Sequence, residues 1–104
     1  MTTQDLHTSL TLIRKDFNLD EGEFSINETE LTTESLLQRL TKLVSYLLEK
    51  DFSKLLHVLY RIDISEERLK AALASNEGGL AIIIARMILE REMQKVETRK
   101  KYSS

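Results

Sequence analysis

Hydrophobic positions recur along this chain at helical spacing almost from end to end. Leu6, Leu10, Ile13 and Phe17 are separated by four, three and four residues and predict a first helix over residues 3–17. Leu36, Leu37, Leu40, Leu43, Val44, Leu47 and Leu48 form a wide apolar stripe opposite Gln38, Lys42, Ser45 and Glu49, a second helix over 34–50. Phe52, Leu55, Leu56, Leu59 and Ile62 continue the spacing. Asp51 is a good N-cap, which places a break there rather than one helix of about 30 residues. Ser65 with Glu66 and Glu67 opens a short helix carrying Leu69, Ala72 and Leu73, with Ile64 poised to staple onto Leu69. It ends by Ser75-Asn76-Glu77-Gly78-Gly79.

The most apolar run is 80–89, whose only charge is Arg86. Ile82-Ile83-Ile84 would suit a buried strand, but no second strand candidate exists to pair with it. The good helix formers that follow favour one helix over about 80–101. Its apolar face narrows beyond 89 to Leu89, Met93 and Val96. Residues 18–33 lack helical periodicity and read as a long acidic loop, pinned by Phe24 and Ile26. The predicted fold is all-α: a compact bundle of four or five helices around the long C-terminal one, in a single domain over 1–104, with a basic tail at 97–104 prone to fraying.

Composition narrows the chemistry. The chain has no cysteine, which excludes disulfides, thiol catalysis and cysteine zinc sites and fits a reducing cytoplasm. Met1-Thr2-Thr3-Gln4-Asp5 has neither the basic nor the apolar region of a signal peptide, and the 80–89 run is about half the roughly 20 residues that span a bilayer, so no membrane association is expected. His7 and His57 lack partners at metal-ligand or acid–base spacing; no Gly-x-Ser-x-Gly occurs, and Gly78-Gly79 lacks the lysine of a phosphate loop. No catalytic, cofactor or metal site is expected, and the chain reads as a non-enzyme.

The net charge of −2 hides an acidic front and a basic end. Residues 1–34 carry eight acids against Arg14 and Lys15, whereas Arg91, Lys95, Arg99, Lys100 and Lys101 make the C-terminal segment a candidate anion-binding surface. Glu90, Glu92 and Glu97 interleave with those cations and reduce their field. Asp16, Asn18, Asp20, Gly22, Phe24 and Glu28 resemble the EF-hand calcium loop, a resemblance that implies calcium held by 16–28. An inserted Glu21 displaces both the glycine and the closing glutamate by one position.

The leading expectation is therefore a non-catalytic interaction or assembly module, self-associating through a Leu89/Met93/Val96 seam and complementary end charges. A nucleic-acid-associated protein using the basic tail is one alternative, and calcium binding by the acidic loop 16–28 is the other.

Overall fold

The computed structural model describes residues 2–75 and 79–102. They form α1 (Thr3–Phe17), a 3-10 turn (Glu28–Glu30), α2 (Thr33–Lys50), α3 (Phe52–Arg61), α4 (Glu66–Ser75) and α5 (Leu80–Tyr102), with no strand among the described residues. The architecture is an all-α bundle organised on the long C-terminal helix. α2 packs most extensively on α5, followed by α1 and then α4, while α3 braces α1 and α2.

Local chemistry sets the helix starts. Thr2 Oγ1 accepts the Asp5 amide at 3.1 Å, and the Asp5 carboxylate accepts the Thr2 amide in return. Thr32 and Ser35 make the same reciprocal box at the head of α2, at 3.0 and 2.9 Å. Asp51 Oδ1 takes the Lys54 amide at 3.2 Å, so α2 and α3 are two helices broken at Asp51. Ser65 Oγ takes the Arg68 amide at 3.1 Å to open α4. Each contact satisfies one of the amides that a helix start leaves orphaned. Thr32→Ala, which loses one such contact at an exposed site, is expected to lower stability by about 1 kcal/mol in urea melts.

Helix ends are held by arginines reaching across the fold. Arg91 Nε donates to the Ile62 carbonyl at the end of α3 (3.0 Å), and Arg61 Nη1 donates to the Asp16 carbonyl near the end of α1 (3.3 Å). Asn18 and Asp63 occupy the left-handed region at φ 56° and 60°, directing the chain out of α1 and α3. The glycine turn expected before α5 lies partly outside the described residues; Gly79, at φ 94°, is within them.

The core joins Leu10, Ile13 and Phe17 of α1, Leu36, Leu40 and Val44 of α2, Leu55 and Ile62 around α3, and Ile84 and Ile88 of α5. Burying each such side chain contributes roughly 1.5–3 kcal/mol. The 80–89 run is less enclosed than its composition predicts: Ile83, Ile84, Ala85, Met87, Ile88 and Leu89 are buried, but Leu80 and Arg86 are exposed and Ile82 is half-buried.

The 18–33 segment is a structured loop. Phe24 is buried and Ile26 half-buried, both as expected, and Leu31 is a third anchor. Arg14 Nε holds the Phe24 carbonyl at 2.6 Å, fastening the loop to α1.

Candidate functional site

The C-terminal half of α5 lies against α1, and there the acidic and basic ends of the sequence meet. Lys100 Nζ bonds the Asp5 carboxylate at 2.9 Å, and Lys95 Nζ bonds Asp16 Oδ2 at 3.2 Å and Glu92 Oε1 at 3.4 Å. The end charges therefore complement one another within the chain. The hydrogen bond from Lys100 holds the Asp5 carboxyl below its usual range, and that from Asp5 raises the Lys100 ammonium above its own. This docking carries α5 in helical form to Tyr102, through most of the segment expected to fray.

The seam proposed for self-association needs correction. Leu89 and Val96 are only 4% and 3% exposed, and Met93 packs half-buried against the core. Their face is covered by the chain's own packing, so it is not an open dimer surface. The candidate anion-binding set also divides. Arg91 is tied to the α3 terminus, with its Nη2 4.0 Å from Asp63; Lys95 and Lys100 are paired with carboxylates; Arg99 and Lys101 are exposed.

Glu92 is the residue the sequence concealed. It shares a helical face with Leu89 and Val96 and is fully buried. Its Oε2, like Ser9 Oγ, is buried with no hydrogen-bond partner among the described residues. Burial first, then the neighbouring Asp16 carboxylate, push its pKa up to about 8, against the opposing pull of Lys95. Glu92 is therefore largely protonated at neutral pH, and its proton can bridge to Asp16. One lysine serves both carboxyl groups.

Beside this cluster, a cleft of about 340 Å³ opens between α1 and α5. Lys15, Arg91, Lys95, Arg99 and Thr98 line it, with Leu12 and Asp16. Lys15 was not among the candidate anion ligands. Only the packing of α1 on α5 brings it beside the α5 cations.

The EF-hand resemblance is not matched by geometry. Asp16 turns into the α5 cluster, Asp20 Oδ1 caps the Glu23 amide at 2.9 Å, and Glu28 lies 3.7 Å from His7. The displaced register sends these carboxylates apart, and no group of three potential ligands that could hold a metal ion forms among the described residues. His57 is exposed beside Asp16, Lys54 and Arg61.

A second surface lies on α3 and α4. Phe52, Leu56 and Tyr60, spaced four apart, form an outward stripe with exposures of 54%, 38% and 72%. Beside it, Leu56, Leu59, Tyr60, Ile64, Leu69 and Glu66 line a small pocket of about 70 Å³. Leu73 extends the apolar surface along α4. The sequence marks these residues as hydrophobic but not as uncovered. Leu55, Val58 and Leu59 face the core, and the stripe turns away from it.

The fold and these two surfaces define a small α-helical bundle with an apolar face and a polar cleft. Comparison with known families, curated proteins and solved structures finds no match to the chain. No helix among the described residues is long and apolar enough to cross a membrane.

Proposed function

We propose that the chain is a non-catalytic protein-interaction module that pairs with a second copy of itself through the α3–α4 face. The observation that carries this reading is the Phe52/Leu56/Tyr60 stripe, three large apolar side chains on one line of a helix and turned to solvent. A two-fold interface must be self-complementary, so one patch has to supply both knobs and holes. This face has both: Phe52 and Tyr60 project, and the pocket between Leu59, Ile64 and Leu69 is sized for a single side chain. Glu66 stands at the edge of that pocket and gives the apolar patch a polar rim. Buried aromatic anchors supply most of the energy of such contacts. The absence of cysteine suits work in a reducing cytoplasm.

Sedimentation velocity over roughly 10–300 µM protein, a range that reveals micromolar pairing, tests it. The wild type is expected to sediment as a dimer at the upper end. Leu56→Glu and Tyr60→Glu are each expected to weaken pairing roughly tenfold or more, with circular dichroism unchanged, because both positions face solvent. A wild type that stays monomeric throughout, or variants that pair as well as it does, would overturn the reading.

A further inference from the structure

We propose that the α1–α5 cleft is a binding site for a small phosphate-bearing anion, held by Lys15, Arg91, Lys95 and Arg99 with the Thr98 hydroxyl. Arg91, Lys95 and Arg99 follow one another at intervals of four along α5, and Lys15 faces them from α1. Four cations thus converge on one concavity, against the single carboxylate of Asp16, in a chain whose net charge is −2. Such a concentration of one sign inside an overall acidic molecule attracts anions, and guanidinium groups match phosphate oxygens in pairs. The cleft's volume of about 340 Å³ lies in the range of small-molecule sites.

The site is partly preorganised. Arg91 is fixed by the Ile62 carbonyl at 3.0 Å, and Lys95 by Asp16 at 3.2 Å. Lys15 and Arg99 are exposed and able to close over a ligand from opposite sides. Glu92, buried behind Lys95 and protonated at neutral pH, adds no competing negative charge there. A nucleic-acid backbone fits less well. Its phosphates require a long cationic track, whereas α5 outside the cleft carries Glu90 and Glu97 among its cations.

Isothermal calorimetry of the full chain with pyrophosphate at low ionic strength provides the test, with a short DNA duplex in a parallel arm. Pyrophosphate is expected to bind with one-to-one stoichiometry. Amide shifts should cluster in the second half of α1 and around residues 91–99. Lys15→Glu and Arg99→Glu should each weaken binding roughly tenfold or more, since each reverses a charge at the site. Lys42→Glu and Lys70→Glu, away from the cleft, should leave it unchanged. Lys15→Gln and Arg99→Gln, which only neutralise, serve if a charge reversal alters the circular dichroism spectrum. No heat and no shifts at ~10 mM pyrophosphate, where a millimolar site would be filled, would overturn the proposal. So would duplex binding with pyrophosphate unable to compete.

Discussion

Glu92→Gln is expected to make the protein more stable than the wild type at pH 9, and to differ little from it at pH 5. The folded state holds a proton on Glu92 up to about pH 8, while the unfolded chain releases it near 4.5. Between those values the native state binds more protons than the unfolded state, so stability falls as pH rises. The stabilisation is fully present below 4.5 and is lost by the time pH passes about 8. The interval corresponds to a ceiling of ~5 kcal/mol, with a steepest slope of about 1.4 kcal/mol per pH unit. Glutamine is close in shape to the protonated acid, can donate an N–H toward Asp16 and does not ionise, so the variant should lose this slope. The other displaced groups act elsewhere. Asp5, with its pKa lowered, contributes stability that is lost as pH falls through its folded pKa, below 3.8. Lys100, with its pKa raised, contributes stability that is lost as pH rises through its folded pKa, above 10.5. Urea melts at pH 5, 7 and 9 therefore isolate Glu92. A wild-type stability that stays flat across that range would show that Glu92 ionises at little cost.

The fold was legible because its signals are local. Asp51 and Ser65 announce helix starts within three residues of themselves, and each makes the predicted contact. The stripe from Leu36 to Leu48 likewise names its buried side without knowledge of a partner. The functional surfaces depend on which helix covers which. Leu89, Met93 and Val96 look like a free seam until the rest of the bundle is packed around α5. Phe52 and Leu56 belong to the same periodic pattern as Leu55 and Leu59, yet with Tyr60 they are left outside because α3 turns only one side to the core. Glu92 was hidden by its neighbours in a charged run. Its spacing, three from Leu89 and four from Val96, was the available sign that it lies on their buried face. The charge asymmetry was visible from the outset, but composition could not distinguish pairing within a chain from pairing between chains. Lys95 to Asp16 and Lys100 to Asp5 place much of it within.

Lys95→Met should cost about 3 kcal/mol at neutral pH and extend the pH dependence to higher pH. Lys95 supplies hydrogen bonds to both Asp16 and Glu92, two of the four buried polar or charged residues in the fold's described part. Removing one partner of a buried ion pair leaves the other charge uncompensated, typically at 3–5 kcal/mol. The lower end applies because Glu92 is already protonated at neutral pH and needs no counter-charge. Lys95 is also the group that pulls Glu92 back toward its ordinary range. Without it the Glu92 proton should be held to higher pH, extending the decline in stability beyond pH 8. Methionine keeps the aliphatic length of lysine, so lost packing adds little. A double-mutant cycle with Glu92→Gln separates the terms. The two substitutions should be non-additive by about 1–3 kcal/mol at pH 8.5, because glutamine removes one of the charges that Lys95 compensates. They should approach additivity at pH 5, where Glu92 is protonated in the folded state. Additivity at both pH values would mean that Lys95 stabilises Asp16 alone and that Glu92 does not share its charge.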